Sequence, residues 1–314
     1  MSATAPAVPR GFLAWLPFLW SRVLFPVQNT AATGLRLPSL ILLVLLPGAL
    51  LYPTRSFRLL EPDEGRYAEI AREMTLHGDW VVPVLQGQPY LDKPPLMYWL
   101  IRISYALFGI SAEAARWVPA LAIHGAILLV YLLGRRSLGE RSAFWGALLL
   151  TVAPGFLGMG RLLILDGLLT FWVTLSLLAG FEALRERPPE PRLKAGRVRW
   201  GWWTAAALAC GLGVLTKGPV ALLLFFPPLV AYSILVQQRI GISWRPFALF
   251  LAIVFLVNLP WYVAIYLREP VFLKHFFWEH NVMRFLQPFD HLQPIWYYTP
   301  IVLGGLLQIG RAHV

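Results

Sequence analysis

The segment from Glu61 to Pro95 carries charged residues of both signs between long apolar stretches. These residues are Asp63, Glu64, Arg66, Asp92 and Lys93. A carboxylate can take a proton from an attacking group, and Lys or Arg can offset negative charge that develops on a leaving group. Charged side chains beside apolar membrane segments are costly and are therefore expected at functional sites. The segment is predicted to hold a reaction centre at a membrane surface.

The composition of the 314-residue chain indicates a membrane protein. Hydrophobic residues make up 58% of the chain, charged residues 14%, and the mean hydropathy is +0.61. Soluble domains contain about 45–50% apolar residues, so an ordinary soluble domain is excluded. Residues 1–36 lack the usual order of a basic region, an apolar region and a cleavage site, so we expect the first apolar helix to be a retained insertion signal. The single cysteine, Cys210, excludes an internal disulfide.

Long apolar runs predict an all-α, polytopic membrane protein. A bilayer core of about 30 Å needs about 20 apolar residues per helix. The runs that meet or approach this length are Leu37–Tyr52, Trp117–Leu133, Ala143–Leu157, Leu162–Leu184, Trp200–Leu215, Val220–Val236 and Phe247–Leu267. A further run begins at Trp296. Tyr98–Phe108 is shorter and contains Arg102, which favours a helix that lies along the interface.

The basic residues predict the orientation of these helices, because Lys and Arg collect in short cytoplasmic loops. If Tyr98–Phe108 does not cross, one side receives the arginine-rich segments 10–36, 135–141, 185–199 and 239–245, and we expect this side to be cytoplasmic. The outer side then receives Asp63, Glu64, Lys93, Asp166, Lys217 and the segment Glu279–Asn281. The net charge of +11 is explained by inner loops beside anionic lipid, so we expect no nucleic-acid partner.

Local signals in the first outer loop predict a helix on the membrane surface. Pro62 suits a first helical turn, and carboxylates at Asp63 and Glu64 favour a helix N-terminus. One apolar stripe follows, formed by Tyr67, Ile70, Ala71 and Met74. The helix should break at His77–Asp79, and the turn Gly87-Gln88-Pro89 should then lead the chain to Lys93. This path is expected to bring Asp63 and Lys93 to the same patch of surface.

Seven short motifs occur along the chain in a fixed order: Asp63–Glu69, Gly78–Trp80, Asp92–Pro94, Arg161–Asp166, Leu215–Gly218, Phe277–Asn281 and Arg284–Phe285. Their residues and their order resemble the bacterial integral-membrane glycosyltransferases that use polyprenyl-phosphate sugars. That family includes lipid A aminoarabinose transferases and relatives of protein O-mannosyltransferases. The resemblance covers nearly the whole chain.

The resemblance implies a fold of the GT-C type, with many transmembrane helices and amphipathic surface helices in the first periplasmic loop. It implies an undecaprenyl-phosphate-type donor and transfer with inversion at the anomeric carbon. The acceptor would be a lipid A-like glycolipid, another glycan or a protein. The expected location is the bacterial inner membrane, with the active site facing the periplasm.

The same resemblance assigns roles to individual residues. Asp63 matches the acidic position at the start of the loop and would be the general base, while Asp166 would be a second catalytic residue that orients the acceptor or supports Lys93. The residues that would bind the donor phosphate are Lys93, Arg66, Tyr67 and Lys217, with Glu64 beside them. Cations there would offset the charge of the departing phosphate. If the acceptor is itself a phosphate, no strong base is required and the aspartates would position it.

Some aminoarabinose transferases hold a divalent metal between an acidic residue before the loop lysine and a later histidine. The matching positions in this chain are Asp92 and His280. Zinc normally takes three or four protein ligands, and this pair provides two. A bound divalent ion, either zinc or magnesium or manganese, is therefore an expectation that comes from the resemblance alone.

Structural roles explain the same residues in another way. Asp63 and Glu64 can stabilise the N-terminus of a surface helix, and Lys93 can extend to lipid headgroups. Lys217 can be the C-terminal charge of a helix, and His280 can be an interfacial hydrogen-bonding residue. Only their joint occurrence on one face favours an enzyme.

Two other functions stay open at the level of sequence. The chain can be a transporter or flippase for lipid-linked substrates, or a lipid-binding protein without transfer activity. A transporter is expected to contain internal repeats and broken helices. The prolines at Pro227-Pro228 and Pro260 are the best signals for such breaks.

The end of the chain predicts a gene fragment. We expect residues 1–308 to form one truncated, N-terminal transmembrane domain. Residues 309–314 read Ile-Gly-Arg-Ala-His-Val, which is what ATCGGAAGAGCACACGTC, the opening of a common sequencing adapter, encodes. The apolar run Trp296–Gln308 is also too short to span a bilayer.

Overall fold

The computed structural model describes residues 34–53, 57–185, 198–235, 244–283 and 294–306, and these ranges are mostly helical. Their α-helices are α1 Leu37–Leu51, α2 Asp63–His77, α3 Leu96–Phe108, α4 Ala112–Leu138, α5 Glu140–Val152, α6 Pro154–Arg161, α7 Leu165–Leu184, α8 Trp200–Lys217, α9 Val220–Leu235, α10 Trp244–Arg268 and α11 Tyr298–Leu306. A hairpin of β1 (Val84–Leu85) and β2 (Gln88–Pro89), a π-helix (Lys274–Met283) and a 3-10 helix (Ile295–Tyr297) complete them. The predicted all-α class is confirmed.

Two predictions fall on residues that lie outside the described ranges. One is the assignment of residues 309–314 to a sequencing adapter. The other is the absence of a cleavable signal sequence from the N-terminal segment, of which residues 1–33 lie outside the described ranges. The motif residues Arg284 and Phe285 also lie outside these ranges. These predictions therefore stay predictions.

The helices of the bundle differ in length more than the sequence predicted. Within the described ranges, three helices are long and apolar enough to cross a membrane, namely α4, α7 and α10. The helices α1 and α9 are apolar but have 15 and 16 residues, and α8 has 18. Length and composition thus support three of the seven predicted spans directly, and four if a bent pair of helices counts as one.

The predicted continuous helix Ala143–Leu157 is wrong. The structure has two helices here, α5 and α6, which meet at an angle of 63°. The residue between them, Ala153, has extended backbone with φ −71° and ψ 123°. Pro154 explains the break, because proline has no N–H to donate and disfavours helical backbone at the preceding residue. At Pro227-Pro228 and Pro260, by contrast, α9 and α10 continue.

Polar contacts gather the arginine-rich helix ends at one end of the bundle. Arg36, just before α1, lies 3.4 Å from Glu140 at the start of α5. Arg185, just after α7, donates a hydrogen bond of 2.8 Å to the carbonyl oxygen of Arg136 in α4. These contacts agree with the predicted grouping of the basic segments on one side.

The surface helix predicted for the first outer loop is α2. It begins at Asp63 and ends at His77, and Gly78 follows with a φ of +72°. Such left-handed backbone commonly ends helices and is least costly for glycine. The predicted apolar stripe is buried, with Tyr67, Ile70, Ala71 and Met74 all inside the core. The helix, its stripe and its break are confirmed.

The helix α3 occupies the segment that was predicted to lie along the interface. Its 13 residues are roughly 20 Å long, which is too short to cross a bilayer core of about 30 Å. Arg102 is buried on this helix, with its guanidinium 3.9 Å from the ring of Trp80. The same guanidinium donates a hydrogen bond to the carbonyl oxygen of Asp79. Arg102 therefore fixes the segment after α2 against α3.

One apolar cluster joins the surface helices to the bundle. It contains side chains from α2, α3, α4, α7, α8, α10 and the π-helical region, among them Ile70, Met97, Ile101, Ala115, Leu165, Leu215, Trp261 and Phe272. Burial of each large apolar side chain stabilises the fold by about 1.5–3 kcal/mol. The cluster thereby holds α2 and α3 in a defined position against one end of the longer helices.

Candidate active site

The first turn of α2 presents a carboxylate beside a guanidinium. Asp63 is the first residue of α2, and 54% of its side chain is exposed. The guanidinium of Arg66 lies 3.7 Å from the Asp63 carboxylate. Since the two residues are three positions apart on one helix, they are neighbours on its surface. Asp63 is therefore accessible to a substrate, next to a cation.

A second aspartate lies at the start of α7. Asp166 is in the first turn of this helix, and its Oδ1 lies 2.6 Å from the Nζ of Lys217, the last residue of α8. Their side chains are 48% and 28% exposed. The chain turns directly after Lys217, because Gly218 has a φ of +84° and lies against the ring of Phe276. Lys217 is thus a helix C-terminal charge, as one explanation predicted, and also the partner of Asp166.

The charges of both aspartates act on Tyr67. Burial raises the pKa of its phenol, and the charges of Asp63 and Asp166 raise it further. Because the phenol stays protonated at neutral pH, Tyr67 can donate a hydrogen bond but cannot serve as a general base.

Tyr90, which was not predicted from the sequence, interacts with Asp92. Burial raises the pKa of Tyr90 to about 12, and the charge of Asp92 contributes to the shift. The positive charge of Arg66 acts on Tyr90 in the opposite direction and offsets part of this rise in pKa. Tyr90 therefore interacts electrostatically with both Arg66 and Asp92. Its only sequence signal was its position two residues before Asp92.

Three potential metal ligands meet at Asp92. The ligand atoms of Asp92, His275 and His280 all lie within 4.8 Å of one another. His275 Nε2 is 2.9 Å from Asp92 Oδ1, and His275 Nδ1 is 2.9 Å from a carboxylate oxygen of Glu279. Asp92 and His280 were predicted from the sequence, whereas His275 was missed. The structure thus raises the predicted pair of ligands to three.

The π-helix explains why His275 was missed. His275 and His280 are five positions apart, and both lie in Lys274–Met283. In an α-helix five residues turn the chain by about 500°, so the two side chains would point roughly 140° apart. A π-helix bonds residue i to residue i+5, which brings side chains at this spacing to one face. The His275 and His280 rings accordingly stack with their centroids 6.1 Å apart.

The charges around Asp92 favour its ionised form. Burial alone would raise the pKa of Asp92, but the hydrogen bond to His275 and the positive charges of His280 and Lys93 together lower it. The pKa of His275 is raised for the same reason, mainly by its hydrogen bond to Asp92. Lys93 is therefore close to this cluster. Its predicted approach to Asp63 stays a prediction.

The side chain of Glu64 lies apart from the Asp63–Arg66 pair, although Glu64 follows Asp63 directly in the sequence. Its carboxylate is 2% exposed and binds Arg116 of α4, with contacts of 2.9 and 2.8 Å. Burial would raise the pKa of Glu64, but hydrogen bonds from Arg116 and from two backbone N–H groups, with the charge of Arg116, lower it overall. Its role is therefore to join elements, and Arg116 is a residue that the sequence analysis did not identify.

Comparison with known proteins decides the family. Residues 37–276 match the family model described as dolichyl-phosphate-mannose-protein mannosyltransferase. The chain belongs to this family. Together with the helical bundle, membership of the mannosyltransferase family identifies a multi-pass membrane protein.

Curated relatives of this mannosyltransferase-family chain are undecaprenyl phosphate-alpha-4-amino-4-deoxy-L-arabinose arabinosyl transferases. Arabinosyl transferase 1 from Pseudomonas fluorescens (strain Pf0-1) is 36% identical to this chain over 288 residues, which are 90% of this chain and 48% of the relative. The enzyme from Pseudomonas aeruginosa (strain LESB58) is 37% identical over 263 residues, which are 82% of this chain and 46% of the relative. The chain thus spans about half the length of the curated relatives it matches.

Solved structures show the same fold. ArnT from Cupriavidus metallidurans, in a crystal structure bound to undecaprenyl phosphate, is 30% identical with a TM-score of 0.74, and the match covers 85% of this chain and 48% of ArnT. The archaeal oligosaccharyltransferase AglB from Archaeoglobus fulgidus is 21% identical with a TM-score of 0.53, and the match covers 71% of this chain and 29% of AglB. The second match shows a shared fold alone. The predicted GT-C type fold is confirmed.

Proposed function

We propose that the protein is a glycosyltransferase that moves a sugar from an undecaprenyl-phosphate-type donor to an acceptor on the periplasmic side of the bacterial inner membrane. One observation carries the proposal: α2, α7, α8, the segment after the hairpin and the π-helix supply three charge-paired contacts, Asp63–Arg66, Asp166–Lys217 and Asp92–His275. The charges of both Asp63 and Asp166 act on Tyr67, and those of Arg66 and Asp92 act on Tyr90. The names of the arabinosyl transferases and the undecaprenyl phosphate bound in ArnT support the class of donor.

Asp63 is the group best suited to act as the general base. Its carboxylate is more than half exposed, and its basic neighbour is 3.7 Å away. The carboxylate of Asp166, in contrast, is bound to Lys217 at 2.6 Å. Since a charge-assisted contact of that length holds the carboxylate in one position, Asp166 orients groups rather than accepting a proton.

The reaction that this arrangement supports is a direct displacement at the anomeric carbon. The acceptor oxygen forms a bond to that carbon while its proton passes to Asp63. The bond from the carbon to the phosphate oxygen breaks, and the oxygen leaves with the electron pair. Attack from the face opposite the phosphate inverts the anomeric centre. The cations Lys93, Arg66 and Lys217 stabilise the phosphate charge, and Tyr67 donates a hydrogen bond.

The acceptor changes what the aspartates must do. An acceptor hydroxyl of a glycan, a glycolipid or a protein needs Asp63 as a base. A phosphate acceptor is already a nucleophile, so Asp63 and Asp166 would then position it. Comparison of a hydroxyl acceptor with a phosphate acceptor in the same Asp63 variant separates the two roles.

The donor set of Asp92, His275 and His280 fits a divalent metal. Two imidazoles and one carboxylate are a known set for catalytic zinc, and they leave a fourth position open. Glu279 binds the second nitrogen of His275, as is typical of histidines that coordinate metals. A bound ion would supply positive charge near the donor phosphate. The contact of 2.9 Å between His275 and Asp92 itself holds the π-helix against the segment that carries Lys93.

The decisive experiment measures sugar transfer by the purified protein in nanodiscs. Labelled undecaprenyl-phosphate sugars are supplied with candidate acceptors, and labelled product is counted. We expect Asp63→Asn to reduce transfer by roughly 10² to 10⁴-fold, the usual contribution of a general base, and to leave binding of undecaprenyl phosphate unchanged. Glu113→Gln is a matched control, since Glu113 is an exposed carboxylate in the first turn of α4. Full transfer by Asp63→Asn to a hydroxyl acceptor would disprove its role.

Transport of a lipid-linked substrate is a second candidate, favoured by one observation. The 63° break between α5 and α6 resembles the interrupted helices of transporters. Movement of fluorescent undecaprenyl phosphate between the leaflets of protein-containing vesicles, without any transfer of sugar, would support this function over the enzyme.

A further inference from the structure

The carboxylate of Glu64 binds two backbone segments that are far apart in the sequence. Its Oε2 accepts a hydrogen bond of 2.8 Å from the N–H of Leu60, and its Oε1 accepts one of 2.6 Å from the N–H of Leu163. Leu60 lies three residues before Asp63, and Leu163 lies three residues before Asp166. One side chain therefore binds the approach to both helix N-termini that carry the candidate catalytic aspartates.

Arg116 completes this arrangement from a third element, α4. It is fully buried, and its Nε and Nη2 contact the two Glu64 oxygens at 2.9 and 2.8 Å. Its other N–H groups donate to the carbonyl oxygens of Phe57 and Arg58 at 2.5 and 3.0 Å. The ring of Phe57 covers the guanidinium at 3.9 Å. Glu64 and Arg116 thus bind the chain before α2, the chain before α7 and the body of α4 to one another.

We propose that Glu64 and Arg116 are positioning residues for glycosyl transfer: they hold the first turns of α2 and α7 side by side, so that Asp63 and Asp166 face one site. The proposal rests on the proposed function of those aspartates. Neither Glu64 nor Arg116 touches substrate, since both side chains are buried. They act through the backbone that leads into the two helices.

A stabilising role alone does not account for this pair. Burial of two charges costs desolvation energy that their attraction often only repays, so apolar residues of similar size would serve stability as well or better. The pair does what apolar side chains cannot, because it supplies hydrogen-bond acceptors to two backbone N–H groups and donors to two carbonyl groups. Directional bonds of this kind fix the distance and angle between segments, and small displacements of catalytic groups can reduce rates by about 10²-fold.

Two variants test the proposal against the unaltered protein. Arg116→Met leaves Glu64 buried without its cation, so we expect it to lower stability as well as activity. The double variant Glu64→Gln with Arg116→Met removes both charges and keeps one acceptor oxygen, so we expect it to be the better folded of the two. The control is Arg72→Met, which breaks the exposed Glu69–Arg72 contact of 2.6 Å on the same helix.

The measurements are hydrogen–deuterium exchange of residues 57–64 and 161–167, and the kcat and KM of sugar transfer. In the double variant we expect exchange of both segments to rise at least about tenfold, with kcat falling roughly 10- to 100-fold and the donor KM within about twofold. The control should leave exchange and kcat unchanged. A purely structural role would instead lower the amount of folded protein and leave the kcat of the folded fraction intact.

Each outcome decides one claim. Unchanged exchange of both segments in the double variant overturns the proposal, whatever the activity. Raised exchange with an unaltered kcat also overturns it, because the aspartates would not depend on the pair. If the unaltered protein transfers no sugar, the proposed function fails, and the exchange data still decide whether Glu64 and Arg116 hold the two segments together.

Discussion

Replacement of Glu73 by glutamine tests how α2 supports the segment that carries Asp92 and Lys93. Glu73 is buried, and its carboxylate accepts hydrogen bonds from the N–H groups of Gln86 at 2.6 Å and Gly87 at 3.1 Å. These two residues form the hairpin turn, with φ values of +53° and +75°. Positive φ at both turn positions is typical of a type I′ turn. The carboxylate thus binds the turn from which the chain runs to Lys93.

The size of the effect follows from the two hydrogen bonds. A bond to a charged group contributes about 1.5–3 kcal/mol, and a bond between neutral groups about 1 kcal/mol. Glutamine retains one acceptor oxygen, so Glu73→Gln loses one charged bond and converts the other into a neutral bond. The hairpin should therefore lose roughly 2–5 kcal/mol of local stability. Since 1.4 kcal/mol is a factor of ten, the turn should open roughly 30 to 4,000 times more often.

Hydrogen–deuterium exchange of residues 82–93 measures this opening, and the affinity for undecaprenyl phosphate should fall in parallel because Lys93 loses its support. Glu69→Gln is the matched control on the same helix. Its carboxylate is 36% exposed and accepts hydrogen bonds of 2.8 and 2.6 Å from Arg72 instead of binding the hairpin turn, so hairpin exchange should stay close to that of the unaltered protein. If Glu73→Gln changes hairpin exchange by less than about twofold, the reasoning from these two hydrogen bonds is refuted.

Three further predictions concern separate parts of the site. The proposed metal site predicts that the dialysed unaltered protein carries zinc in elemental analysis and that His275→Gln carries much less, because two ligands would remain; equal zinc in both would argue against a three-ligand site. Gly218→Ala should melt at a lower temperature, since the added Cβ would lie 2.7 Å from the Phe276 ring at a φ of +84°; an equal melting temperature would contradict this. Glu64 has a pKa below its ordinary value of 4.5, so its stabilisation is complete above pH 4.5 and is lost as the pH falls through the folded value. The melting temperature of Glu64→Gln should therefore fall less steeply with acid than that of the unaltered protein, and parallel curves would count against the assigned role.

Local interactions made the surface helix and the candidate site visible in the chain itself. The limits of α2 follow from Asp63 after a proline and from Gly78, because proline, glycine and first-turn carboxylates act on their immediate neighbours. Asp166 and Lys217 stood out for a similar reason. A charge in an apolar stretch is costly whatever its partner, so its presence alone indicates a function. The break at Pro154 was equally local, and it was missed because the apolar pattern continues across it.

The amino-acid sequence by itself determined which residues are polar, where α2 begins and ends, and which face of α2 is apolar. Only the tertiary structure decided which polar groups meet. Asp63 and Glu64 are adjacent, yet a helix turns by about 100° per residue, so Glu64 is directed to Arg116, 52 positions away, while Asp63 stays exposed. His275 joins Asp92 across 183 positions through a π-helix that no local pattern predicted. Such contacts depend on how distant elements pack, because each side chain pairs with the nearest suitable group in space and not along the chain.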